Sequence, residues 1–395
     1  MDMSRLRRHN SVPDDSFTPR LRPVLVTDDR QLAEMLRRFS SAPAVAVDTE
    51  SNSLYAYQER VCLIQFSTPD ADYLVDPLAD VDLSPLGDLF ADPDRLKVFH
   101  AAEYDVMCLK RDFGFRFAGL FDTMWAARIL GWPRVGLGDI LKETFGVRSD
   151  KRFQRYNWGQ RPLPQKALAY AALDTHYLLP LYHRQAAILR QAGRWEEAQE
   201  TFARIAASRP LPVNGNTVDI WRIKGVHDLS PREWAVLREL ARWRDEEARR
   251  RDVPLFKVLH DRTLVALAQA RPRTLAGLRE VRGLSAGLVR RYGQRLLETI
   301  HRGERARPPT PPPPPPRHSD AEVARYRALR AWRREVAARR GVDPDVIVGN
   351  AVLWELAERN PVTEAELARV AELGDWKRRT YGADILRVLR RLSPR

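Results

Sequence analysis

Cysteine is nearly absent from this chain: only Cys62 and Cys108 occur in 395 residues. Each lies in an apolar run, VCLIQF and VMCL. That excludes a disulfide framework and any cysteine-based zinc spacing, and it marks both thiols as buried structural residues in a reducing compartment. Long apolar stretches are missing too; none approaches the roughly 18–20 residues needed to span a bilayer. The opening MDMSRLRRHNSVPDDS has no hydrophobic core of a secretory signal. A cytoplasmic protein with a short disordered lead over residues 1–21 is the expectation. No P-loop, catalytic cysteine or Ser–His pair is evident, so the chemistry must come from other groups.

What the chain does have is charge of one sign in one half. Its formal net charge is +14. Residues 1–190 hold 25 basic and 25 acidic side chains, and residues 191–395 hold 41 and 27, so the whole excess sits in the second half. A basic half favours a polyanionic partner, because neutralised phosphates release condensed counterions.

The two halves also differ in pattern. Residues 22–190 alternate strand-like and helix-like segments: PVLVT, AVAVD, VCLIQFS, ADYLVD and KVFH read as strands. A hairpin through Pro69-Asp70 joins the third to the fourth. Asp122 caps the helix DTMWAARIL, and one long helix is expected from Pro164 to about residue 190. Early strands followed by alternating units predict a mixed sheet with helices on both faces. A helical connector follows over 191–226, and the rest reads as all helix. The proline tract within 306–318 cannot enter helix or central sheet and reads as an extended spacer.

Two copies of one unit flank that spacer. A shift of 89 residues places Leu240 on Leu329, Trp243 on Trp332, Ala248 on Ala337, Thr274 on Thr363 and Tyr292 on Tyr381 without a gap. Such a register marks a duplicated helical domain. Leu240, Trp243 and Ala248 at helical spacing are core. The arginine runs 249–251 and 339–340 read as solvated surface.

Candidate chemistry concentrates on carboxylates. Asp48 and Glu50 are two apart at the end of the strand AVAVD, and so share a face. Asp105 lies early in the helix after His100. Tyr170 and Asp174 are four apart on a helix and share a face. Clustered carboxylates suit hard divalent cations, which retain waters and phosphate oxygens as further ligands. Two such ions stabilise both the attacking and leaving oxygens of a phosphodiester displacement.

The segments VAVDTE, HAAEYD and YAALD resemble the three motifs of the DEDD exonuclease superfamily, in its tyrosine-bearing branch. The histidine branch would carry its histidine at position 169, which is Ala169. The phrases DTE, LIQF and LPLY resemble ribonuclease D, and HDLSPREWAVLRELARWRDEEARRRDVPLFKVLHDRT resembles the HRDC domain. The resemblance implies a ribonuclease H-like α/β exonuclease domain with a mixed sheet (22–190). Two all-α HRDC-like bundles would follow it (227–305 and 319–395). It implies that Asp48, Glu50, Asp105 and Asp174 bind two metal ions, Mg²⁺ or Mn²⁺, with Tyr170 orienting the attacking water. The implied substrate is RNA, shortened from its 3′ end to nucleoside 5′-monophosphates, tRNA precursors among the targets, by a monomer. Ser51 departs from the aromatic that often follows DTE, leaving Leu54, Tyr55 and Tyr57 as alternative apolar contacts. Trp158, Arg161, Arg249, Arg250, Lys377 and Arg378, with Arg379 beside them, are the candidate RNA contacts. A DNA exonuclease, or a non-catalytic nucleic-acid scaffold, is the alternative; retention of all four carboxylates and Tyr170 speaks against the scaffold.

Overall fold

The computed structural model describes residues 22–148, 151–211, 218–313 and 317–392. The expected disordered lead and part of the proline spacer lie outside these residues. The chain forms two compact units. One contains residues 22–50, 61–211 and 317–392; the other contains 51–60 and 218–313.

The first unit is built on a six-stranded sheet. Its elements are β1 (Val24–Val26), α1 (Asp29–Phe39), β2 (Ala44–Ser51), β3 (Val61–Ser67), β4 (Asp72–Val75), α2 (Ser84–Ala91), β5 (Leu96–Phe99), α3 (Glu103–Phe113), β6 (Leu120–Asp122), α4 (Thr123–Leu130), α5 (Leu137–Phe145), α6 (Gln165–His176), α7 (Leu178–Gln191) and α8 (Trp195–Ala206). The strand order is β1-β4-β3-β2-β5-β6. The β3–β4 hairpin is antiparallel, and β1–β4, β2–β5 and β5–β6 are parallel. This is the expected mixed sheet. Every residue of β3 is buried, as a strand covered on both faces requires. Cys62 and Cys108 are buried and free.

Two details differ from the sequence reading. β6 was not expected, because three residues are too few to display a period of two. The long helix after Pro164 breaks at Tyr177 into α6 and α7. Pro180 explains the break: it lacks an N–H for the carbonyl four residues back, and its ring crowds that turn.

The second unit contains α9 (Pro231–Arg250), α10 (Leu255–Val258), α11 (Asp261–Ala270), α12 (Leu275–Arg279) and α13 (Ala286–Arg305). Its counterpart, packed within the first unit, contains α14 (Asp320–Arg340), α15 (Pro344–Ile347), α16 (Asn350–Arg359), α17 (Glu364–Leu367) and α18 (Asp375–Arg390). Each helix of the second repeat begins 89 residues after its partner in the first. The correspondence extends to side chains. Trp243 meets the Tyr292 ring edge-on at 76°, and Trp332 meets Tyr381 at 75°. Arg244 donates to the Leu259 carbonyl, and Arg333 to that of Val348. Arg271 and Asn360 both close their helices at positive φ.

The second repeat is seated on the sheet domain through a buried ion pair. Arg340 grips Glu197 of α8 with two bonds of 2.9 and 2.6 Å and also donates to the Tyr381 hydroxyl. Glu197 is 0% exposed. One turn on, the Glu200 carboxylate accepts from the backbone amides of Trp376 (2.5 Å) and Lys377 (3.3 Å), capping α18. Gly374 has φ +75°, and a Cβ there would fall on that carboxylate. Arg128 Nη2 adds bonds to both carboxylate oxygens of Asp345, at 2.6 and 2.7 Å. Arg340 is therefore an interface residue, not solvated surface.

Candidate active site

β2 delivers Asp48 and Glu50 at the carboxyl end of the sheet, beside β5. The β5–α3 turn then sets Asp105 in the first turn of α3. Asp122 shapes that turn. Its buried carboxylate accepts from the amides of Ala101 (3.2 Å) and Ala102 (2.8 Å), and from Met124 (2.8 Å) and Trp125 (3.0 Å) at the start of α4. The capping of α4 was expected; the grip on the Ala101 turn, where φ is +61°, was not.

Thr49, between the two strand carboxylates, donates its hydroxyl to Asp105. It thereby ties β2 to α3. Its place between the ligand candidates was visible in the sequence, but its partner was not.

α6 brings in Tyr170 and Asp174, and the far side of the helix is pinned to the hairpin. Ser67 donates to Asp72 at 2.7 Å and meets Thr175 at 2.6 Å, while His176 meets Asp72 at 3.0 Å. His176 thus faces the sheet and not the carboxylates. Behind Tyr170 lie the rings of Phe153 and Trp158, at 5.6 and 6.2 Å between centroids.

The four carboxylates and Tyr170 act on one another. Burial first, and Asp174 next, raises the Asp48 carboxyl. Burial and then Asp48, Asp174 and Asp105 raise Glu50. Burial and then Asp48 raise Asp105 against the Thr49 hydrogen bond. Burial lifts Asp174 to about 7, against a lowering influence of the Tyr170 hydroxyl. The Tyr170 phenol is itself pushed up by burial and then by Asp174, Glu50 and Asp48, so it stays protonated.

The groups acting most strongly on these four are one another, Asp122, hydroxyls and backbone amides; none is a cation. Among the described residues no three His, Cys, Asp or Glu side chains converge tightly enough to hold an ion alone. Hard carboxylate oxygens gathered on two buried and two half-buried residues fit divalent cations that complete their shells with water and phosphate oxygens.

Several candidate RNA contacts have other duties. Trp158 is 1% exposed and belongs to the core. Arg161 spends its guanidinium on Asp76 (2.6 Å twice) and on the carbonyls of Cys62, Trp158 and Gln160. Both hold the loop before α6, Trp158 buried and Arg161 half-buried. Lys377 lies in the seat of the second repeat, where burial lowers its ammonium against Glu197 and Glu200. Arg378 turns to Asp375 at 2.5 Å, and Arg379 reaches Glu196 at 3.1 Å. Arg250 pairs with the buried carboxylate of Glu247, and Arg249 with the half-buried Asp245.

Tyr57 is fixed on the first repeat. Its hydroxyl donates to Asp245 at 2.7 Å, and its amide donates to Asp252 at 3.1 Å. Lys257 lies 4.2 Å from the Tyr55 ring centroid.

The 3'-5' exonuclease family matches residues 23–189, and the HRDC domain matches 233–300 and 322–389. Ribonuclease D of Acidiphilium cryptum is 34% identical over 73% of this chain and 73% of its own. That of Granulibacter bethesdensis is 30% identical over 92% of each. Among solved structures, the catalytic core of RRP6 from Trypanosoma brucei is 27% identical with a TM-score of 0.63, covering 74% of this chain and 85% of that one. Escherichia coli RNase D shares the fold at 24% identity and a TM-score of 0.67, over 94% of this chain and 99% of its own.

Proposed function

The chain belongs to the ribonuclease D family and is a 3′→5′ exoribonuclease, and on that premise we propose that Asp48, Glu50, Asp105 and Asp174 hold two divalent cations, Mg²⁺ or Mn²⁺, for hydrolysis at the RNA 3′ end. The observation that carries this is the set of four mutually repelling carboxylates, Asp105 and Asp174 buried and Asp48 and Glu50 half-buried, whose strongest charged neighbours are other carboxylates. When bound, such ions supply an activated water and neutralise charge on the attacking and leaving oxygens.

The chain's own residues do the rest. Water adds to the phosphorus of the last nucleotide, and the bond to the 3′ oxygen of the preceding one breaks. The products are a nucleoside 5′-monophosphate and an RNA one residue shorter. Tyr170, held protonated beside Asp174, offers its Oη to orient the attacking water. It is a positioning group and not the base. Thr49 and Asp122 fix where Asp105 stands.

No helix among the described residues is long and apolar enough to cross a membrane. We assign the enzyme to the cytoplasm, as a monomer acting on the 3′ trailers of tRNA precursors and other structured RNA.

The test is a time course on 5′-labelled RNA with a single-stranded 3′ tail, in Mg²⁺, in Mn²⁺ and in EDTA. A metal-dependent ladder shortening from the 3′ end is expected, and Asp48→Asn or Asp174→Asn should nearly abolish it. Full activity of either variant refutes the site. A matched DNA strand settles the sugar, since discrimination rests on the 2′-hydroxyl.

A further inference from the structure

The two repeats can be read against each other, because one of them is seen holding anions. The second repeat receives three carboxylates of α8. Glu197 goes to Arg340, which is also bonded to the Tyr381 hydroxyl. Glu200 goes to the amides of Trp376 and Lys377 at the start of α18. Glu196 goes to Arg379.

Subtracting 89 gives the equivalent positions in the first repeat. Arg340 becomes Arg251, and Tyr381 becomes Tyr292. Arg379 becomes Arg290, and the two amides become those of Gly287 and Leu288. Every donor is kept. Arg251 makes the same bond to its tyrosine hydroxyl, at 2.5 Å. The amides open a 20-residue helix, α13. Only Ser285 caps them, through a long 3.3 Å bond from Leu288. A Cβ built on Gly287 would meet nothing nearer than the Ser285 hydroxyl at 3.7 Å, so approach to that end is open. Arg290 is exposed and has no ion pair among the described residues. Glu247, a carboxylate on which Arg251 acts, is already held by Arg250 and Arg295.

We infer that the first repeat uses this constellation of Arg251, Tyr292, Arg290 and the amino end of α13 to bind consecutive phosphates of an RNA backbone. The inference rests on the exoribonuclease reading for the identity of the polyanion. Charge favours phosphate over another acidic helix: residues 218–313 hold 21 Lys and Arg against 12 Asp and Glu. Residues 318–392 hold 15 against 12. The repeat whose anion site is filled from within the chain is the less basic one. The repeat whose site is open carries most of the excess. Guanidinium groups and helix-terminal amides both suit phosphate oxygens. Contacts of this kind position RNA without reading its sequence.

The test uses the full chain and a 5′-fluorescent single-stranded oligoribonucleotide in EDTA, so that binding is measured without cleavage. Anisotropy titrations between about 50 and 200 mM KCl give the slope of log affinity against log salt. Removing one phosphate-binding charge should reduce that slope by about 0.7. Arg290→Gln and Arg251→Gln should each lower it by about that much, Arg290→Lys should restore it, and Arg379→Gln in the seated repeat should leave it unchanged. Arg290 holds no ion pair among the described residues, so its result stands even if Arg251→Gln fails to fold. Wild-type binding with the same slope in Arg290→Gln overturns the site and leaves the enzyme reading intact. A wild type that neither binds RNA nor shortens it with Mg²⁺ overturns both.

Discussion

Replacing Glu197 with Ala should unseat the second repeat. The carboxylate is wholly buried, takes two bonds from Arg340 and lies beside the Tyr381 hydroxyl that Arg340 also holds. Removing one member of a buried pair leaves the other charge desolvated without compensation, which costs about 3–5 kcal/mol. Arg340 keeps some access to water, 18% of its side chain, so the lower end of that range is expected. Urea unfolding should show the loss as an early transition of the C-terminal helices. Protease cutting after residue 317 should accelerate in parallel. The double variant Glu197→Ala/Arg340→Ala should be less destabilised than the sum of the singles, because the orphaned charge is gone. A loss below about 1 kcal/mol, or additive singles, would show that the seat rests on apolar packing instead. Truncations intended to remove only an RNA tether therefore carry a confounding effect: deleting the last repeat uncovers Glu197 and Glu200.

Three further outcomes follow from the geometry. Tyr170→Phe keeps the ring against Phe153 and Trp158 but removes the hydroxyl; kcat should fall on the order of 10²-fold with KM little changed, and an unchanged kcat in single-turnover assays would remove Tyr170 from the mechanism. Burial lowers the His100 imidazole to about 4, while the unfolded chain binds that proton near 6.5, so stability should rise with pH between those values and hold above them. The gain is at most about 3 kcal/mol, and a His100→Gln chain with an equally steep dependence in urea melts would contradict it. Gly374→Ala combines a positive φ with a Cβ on the Glu200 carboxylate and should lower the melting temperature, whereas Gly146→Ala, with open space around it, should cost less.

The candidate site was legible where residues are related by short spacing. D-x-E on a strand and Tyr-x-x-x-Asp on a helix each fix a shared face, and the structure brings Asp48, Glu50, Asp105, Tyr170 and Asp174 into mutual electrostatic reach. The repeat was legible because an 89-residue shift preserves core positions, and all five helices obey it. What the sequence could not show depended on partners far along the chain. Arg340 looked like one more surface arginine because Glu197 lies 143 residues away. Arg161 and Trp158 looked like loop residues free to touch RNA, and the sheet behind them was invisible. Lys377 sat in a basic run whose orientation only the docking decides.

Asp122 joins two βα turns through one carboxylate. The amides of Ala101 and Ala102 belong to one turn, and those of Met124 and Trp125 to the other. Neither turn can open alone without stranding a buried charge, so the two behave as a single cooperative unit. Their four amides should exchange with solvent deuterium at one common rate, and slow drift in the position of Asp105 is suppressed by a residue that never meets the substrate.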